Sequence, residues 1–219
     1  MAVSHLASGA VITGFSYPVV AAYTVSSGTI TYSSTQILAR GVSVSPSIET
    51  QGGTDNTFYT NNAAAEEAPQ KFRRGTATFT VDGLLRPAED LILGVVTSTA
   101  TTVGTASVSV FANDDDQVIP YVGVGYVVRR QSAGEVFYQA VVYPKARFAQ
   151  FTPGAATEGD DIDWQTTEIE ATLLRDDSAK HCWQKVSEPL ATELEAYNTV
   201  LVLLGGSAAA AVPGNGAQS

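Results

Sequence analysis

The sequence predicts a mainly β protein built from antiparallel sheet, and three observations predict it. First, apolar and polar residues alternate with a period of two. Ala77, Phe79 and Val81 alternate with Thr76, Thr78 and Thr80, and Ile169, Ala171 and Leu173 with Glu168, Glu170 and Thr172. Such alternation gives a strand one buried and one polar face. Second, residues 120–175 hold three long β-type segments: PYVGVGYVVRR, EVFYQAVVYPKARF and IDWQTTEIEATLLRDD. A flexible acidic bridge, GAATEGDDID, joins the last two. Third, the chain is 44% hydrophobic but only 16% charged, with Thr, Ser, Ala, Val and Gly prominent. That balance fits a chain able to bury a core, with much surface left for partners.

In chain order, TITYSS and GVSVSPSI read as the first strands, with turns at SSG and Gly41. From about residue 47 to 74 the pattern dissolves into a long polar loop with one short helical turn expected at AAAEEA. Loops longer than ~12–15 residues inside a compact domain are uncommon and are usually functional or disordered. The strand Thr76–Val81 follows. RPAEDLILG is then expected to be a helix, with Pro87 near its start, Glu89 and Asp90 in its first turn and Gly94 as its stop. ASVSVFA gives a strand in which Ala106, Val108 and Val110 alternate with Ser107 and Ser109. The three long segments come next. SEPLATELEAYNTVLVLLGG then places Leu190, Leu194, Tyr197, Leu201 and Leu204 at helical spacing, with Ser187 as N-cap and Gly205 as stop. Residues 1–204 are thus expected to form one domain, and the Ala/Gly-rich residues 205–219 a flexible tail.

Charge and chemistry-bearing residues narrow the function. Net charge is −10, with 7 acidic and 5 basic residues in 1–110 against 15 and 7 in 111–219. A tight nucleic-acid binder needs cations to neutralise phosphates, so that class is disfavoured. Cys182 is alone and permits no intrachain disulfide, MAVSHLASGAVITGF lacks the basic n-region of a signal peptide, and the longest apolar run, TVLVLLGG, is too short to cross a bilayer. Folding in a cytoplasm is expected, without membrane insertion.

His5 and His181 are the only histidines. His181 and Cys182 are adjacent, and on a strand they would point to opposite faces, which disfavours a dyad. Three such residues cannot supply an ordinary zinc site. Asp114–Asp116 and Asp176–Asp177 read as solvated turn acids, and Asp160, Asp161 and Asp163 lack the glycine and distal glutamate of an EF-hand loop. GVGYVV contains a GxG, yet it lies within a strand and opens no helix, so it is no phosphate loop. No catalytic residue, cofactor or metal is expected, and the chain reads as a building block rather than an enzyme.

The order of segments resembles the major tail (tube) proteins of long-tailed, non-contractile bacteriophages. FYTNNAAAEEA is similar to that family's aromatic–Asn loop. TATFTVDGL with RPAEDLILGVV is similar to its strand and short helix, and PYVGVGYVVRR with FYQAVVYPKARF to its central hairpin. ATEGDDIDWQTTEIEATLLRDD resembles its acidic bridge and last long strand, and WQKV with PLATELEAYN its terminal strand and helix. The resemblance covers about residues 35–200.

It implies an antiparallel β-sandwich or partial barrel with one or two short flanking helices. It also implies a structural virion protein of the tail, assembled in the host cytoplasm, whose stacked hexameric rings form a conduit for DNA ejection. The partners would be copies of itself, tape-measure protein, and tail terminator and tip proteins, with DNA passing through without tight binding. If six subunits each gave four strands, a barrel of about 24 strands would have a backbone diameter of about 48 Å and a bore of roughly 35–40 Å. On this reading the 47–74 loop is an inter-subunit arm offering Glu66, Glu67, Lys71, Arg73 and Arg74. The wet faces of Thr76, Thr78, Thr80, Glu168 and Glu170 are lumen candidates. The alternatives are a β-sandwich ligand-binding or adhesin domain of a tail tip, which needs an exposed aromatic platform, and a secretion-system tube subunit of related fold.

Overall fold

The computed structural model describes residues 9–51, 57–61, 63–67, 69–95, 98–113, 115–151, 154 and 165–214. It is mainly β and antiparallel with two short helices, as the alternation predicts. The strands are β1 (Val11–Ser26), β2 (Thr29–Ile37), β3 (Gly41–Thr50), β4 (Thr57–Thr60), β5 (Ala63–Glu67) and β6 (Phe72–Val81). After helix α1 (Arg86–Leu93) come β7 (Ser98–Val103), β8 (Ala106–Phe111), β9 (Val122–Ser132), β10 (Glu135–Phe148), β11 (Thr167–Leu174) and β12 (Lys185–Val186), then α2 (Glu193–Leu203). One sheet runs β2-β1-β9-β10-β11-β6-β3, with β12 paired to β10, while β4–β5 and β7–β8 form separate ribbons.

The sheet curls on itself. Phe15 of β1 packs against Tyr126 of β9 and Phe79 of β6, at ring centroid distances of 5.2 and 6.4 Å. A Cβ at Gly41 of β3 would collide with the Phe15 ring, so strands from opposite ends of the sheet meet there. The enclosed core holds Phe79, Tyr126, Tyr143, Phe148, Ile169 and Leu173, and α1 closes it with Ala88, Ile92 and Leu93. Helix α1 carries Pro87 in its first turn and is capped at its end by Gly94, whose φ of 68° supplies the left-handed turn that lets its N–H reach the Asp90 carbonyl.

Helix α2 covers the outer face of β1, β9 and β10, where Val19, Ala21, Val127, Ala140 and Val142 meet Tyr197, Val200, Leu201 and Leu204. The GVG of β9 makes that approach possible. A Cβ on Gly123 would lie 2.6 Å from Leu204 Cδ2, and one on Gly125 would lie 2.6 Å from Val200 Cγ1. The glycines are therefore seats for a helix against a strand buried on both faces.

The structure departs from the sequence expectations at several elements. AAAEEA is not a helical turn: Ala63–Glu67 is strand β5, paired with β4. The 47–74 segment is not patternless either, because β3 extends to Thr50, β6 begins at Phe72, and β4 and β5 form a separate two-stranded ribbon between them in sequence. Strand β1, sixteen residues long, has no counterpart in the sequence reading. It carries Pro18 inside a central strand, which is tolerated because the β1–β9 register shifts between Ser16 and Val19, with Tyr17 at φ 50°.

Ser187 does not cap α2. Its backbone N–H and hydroxyl instead bind Ala140 of β10, and Leu190 bridges Tyr138. The residue before Pro189 is held extended, so the helix starts only at Thr192. There Thr192 and Glu195 form a capping box, each side chain accepting from the other's backbone N–H at 3.2 Å. Of the expected tail, residues up to Gly214 are described. Ala209 exchanges two hydrogen bonds with the Asn198 amide, at 2.8 and 3.1 Å, and packs with Val212 beside α2.

Candidate functional site

The outer face of β3, β6 and β11 is an ordered polar surface. Register sets Ser43, Thr80 and Glu168 in one row, Ser45, Thr78 and Glu170 in the next, and Ser47, Thr76 and Thr172 in a third. Each row points away from the core because the intervening residues Val44, Phe79 and Ile169 point into it. Adjacent strands lie ~4.8 Å apart and alternate residues ~6.8 Å apart, so these nine side chains make a regular grid. Ser43 Oγ and Thr80 Oγ1 bond across it at 3.0 Å. Thus the lumen candidates Thr76, Thr78, Thr80, Glu168 and Glu170 share one face. The serines of β3 belong to the same face and were legible only as the alternation in GVSVSPS.

Cations stand at the margin of this grid. Arg74 is cross-strand from Glu49 and binds it with two hydrogen bonds, at 2.7 and 3.1 Å. That pair holds the exposed Glu49 carboxyl below its usual range. Arg147 lies cross-strand from Thr172 on β10 and sits over the Tyr121 ring, 5.8 Å from its centroid. At the far end Arg40 is paired with Asp82.

The proposed arm residues are not gathered into one cluster. Arg74 is engaged within its own chain, while Lys71 and Arg73 are exposed where β6 begins. Glu66 and Glu67 fall on β5, paired with Phe58 and Thr57. Two further features were absent from the sequence reading. Both ends of the sheet order, β2 and Gly41–Ile48 of β3, carry no charged residue, although free edges normally carry charges that block pairing. The β7–β8 hairpin also leaves all twelve of its residues exposed.

Asp176, His181 and Cys182 share one turn after β11. Asp176 is buried rather than solvated, its Oδ1 accepting from Ser178 N–H, Ser178 Oγ and Cys182 N–H at 3.1, 2.6 and 2.8 Å. His181 and Cys182 lie in that turn instead of on a strand, His181 at φ 49°. Asp160, Asp161, Asp163 and Trp164 lie outside the described residues, as does Asp114. Trp183 stacks on Phe72 with the rings parallel and 4.7 Å apart, which covers one face of its indole. Among the described residues no group of three His, Cys, Asp or Glu could hold a metal, and no helix is long and apolar enough to cross a membrane. A hollow of about 330 Å³ lies between Phe15, Tyr17, Arg40 and Glu193.

Asp177 ties the sheet to this turn, accepting from Lys145 Nζ at 2.7 Å and from the Tyr23 hydroxyl at 2.6 Å. Lys145 and then Tyr23 hold the Asp177 carboxyl below its usual range. Burial, and then Asp177, push the Tyr23 hydroxyl up to about 12 from 10.0. A raised tyrosine pKa contributes stability that is complete below the unfolded value and is lost as pH rises through the folded value. The melting temperature is therefore expected to fall between about pH 10 and 12, and less steeply in Tyr23→Phe. Melts at several alkaline pH values test this, and identical slopes for the two proteins would contradict it. No family model matches the chain, and no curated protein matches it.

Proposed function

We propose that this chain is a structural subunit that polymerises with copies of itself into the hollow tail tube of a long-tailed virion, through which DNA leaves. The observation that carries the reading is the Ser/Thr/Glu grid on β3, β6 and β11. A wall facing passing DNA must hydrate it without gripping it. Lys or Arg there would release counterions from phosphate and bind tightly, whereas hydroxyls and carboxylates do not. Glu168 and Glu170 meet Thr80 and Thr78 rather than cations, so their charge stays on the face.

The end of β10, Lys145–Phe148, continues the sheet beyond β11 and would add a fourth strand per subunit to a shared inner barrel, with Arg147 standing at the margin of the grid face over the Tyr121 ring. Uncharged edges suit pairing between copies. Tape-measure, terminator and tip proteins would set the length and ends of such a tube, assembled in the host cytoplasm and carried in the virion. Sedimentation velocity of the concentrated protein tests the reading. Heavy, heterogeneous polymer is expected, and a single boundary at 22.9 kDa under all assembly conditions would refute it.

A further inference from the structure

We infer that the β7–β8 hairpin is a clasp that buries its valine face on a second copy of this chain. Register divides its twelve residues into two faces: Thr99, Thr101, Val103, Ala106, Val108 and Val110 on one, and Ser98, Ala100, Thr102, Ser107, Ser109 and Phe111 on the other. The alternation of Ala106, Val108 and Val110 with serines is the pattern of a half-buried strand. In the single chain, however, Val103, Val108 and Val110 are 63, 45 and 49% exposed. An isolated two-stranded ribbon is marginal in water and needs a third surface against one face. The hydroxyl face is the anchored one, because the Arg86 guanidinium of α1 lies 3.8 Å from the centroid of the Phe111 ring. The valine face is left for something else.

Charge identifies the occupant. Residues 98–113 contain no charged side chain, so nothing there would attract a basic partner, an acidic partner or nucleic acid. Copies of a chain of net charge −10 repel one another except where neutral surfaces meet. This chain supplies such surfaces itself along β2 and along Gly41–Ile48 of β3, where Val42 and Ile48 are 55 and 39% exposed. The clasp and its seat are different surfaces of one chain, so the contact is heterologous and propagates from copy to copy, closing into a ring or continuing as a filament. The inference rests on the self-assembly proposed above and adds the surface that joins the copies.

The test compares assembly of the wild type with that of Val108→Asp/Val110→Asp by sedimentation, with circular dichroism and thermal melting to establish that both fold alike. The double variant is expected to need a protein concentration higher by about tenfold or more, because two buried valines become two buried carboxylates. A photo-crosslinking benzoylphenylalanine at Val108 is expected to join two copies in the assembled wild-type background. Polymer forming at the wild-type concentration in the double variant, or adducts confined to one chain, would overturn the clasp while leaving the tube reading standing. A wild type that never assembles would overturn both.

Discussion

Replacing Glu168 and Glu170 with lysine is expected to turn an assembly that ignores duplex DNA into one that holds it. Both carboxylates are exposed, stand in adjacent rows of the Ser/Thr grid, and face Thr80 and Thr78 across the strand pair. The substitution removes two anions and adds two cations per subunit without touching the core side chains Ile169 and Ala171 between them. Each phosphate neutralised adds about 0.9 to the steepness with which log affinity falls against log salt, so a wall presenting twelve new lysines per ring of six would bind strongly at low salt and release at high salt. The wild-type assembly is expected to retain no DNA near ~150 mM salt, where surface charges are screened beyond ~8 Å. A filter-retention titration against salt reads the difference directly. Equal retention by the two proteins would mean that these residues do not line the channel.

The second large effect concerns stability. Phe79→Ala is expected to cost about 3–5 kcal/mol, the usual range for emptying an aromatic core site. Phe79 is fully buried on the inward face of β6 and packs on Phe15, Tyr126 and Phe148, with ring centroids 6.4, 6.1 and 6.1 Å away. Those rings come from β1, β9 and β10, so one side chain joins both ends of the curled sheet. For a chain of this length the loss corresponds to a melting temperature lower by roughly 6–20 °C. Because Thr78 and Thr80 keep their face, the variant is expected to lose assembly only where it also loses structure. A melting temperature within about 2 °C of wild type would show that the curl does not depend on this ring.

The alternation around Phe79 made β6 and β11 legible in the sequence, and with them which side chains face water. Pairing is what sequence alone could not supply. Nothing in TATFTV or TEIEATLL states that Thr78 and Glu170 are neighbours, and the serines of β3 join them only through register. Proline misled in two places. Pro18 conceals a central strand because a bulge accommodates it, and Pro189 moves the start of α2 from Ser187 to Thr192. In AAAEEA, residues with high helix propensity form a strand because β4 is beside them, an instance of tertiary pairing overriding local preference. The Gly123 and Gly125 pattern excluded a phosphate loop from sequence, but its purpose emerged only with α2 lying on top of it. Strand β8 was legible from the alternation in ASVSVFA, whereas its partner β7 and the bare valine face of the hairpin were not, since alternation predicts a buried side without naming what buries it.

The most direct test of the central claim, that the β3-β6-β11 grid becomes the inner wall of a homopolymer, is electron microscopy of the concentrated wild-type protein. Long hollow cylinders with a bore of roughly 35–40 Å are expected, with Glu168 and Glu170 resolved on the inner surface. Solitary compact particles at every concentration, or cylinders carrying that grid on the outside, would contradict it.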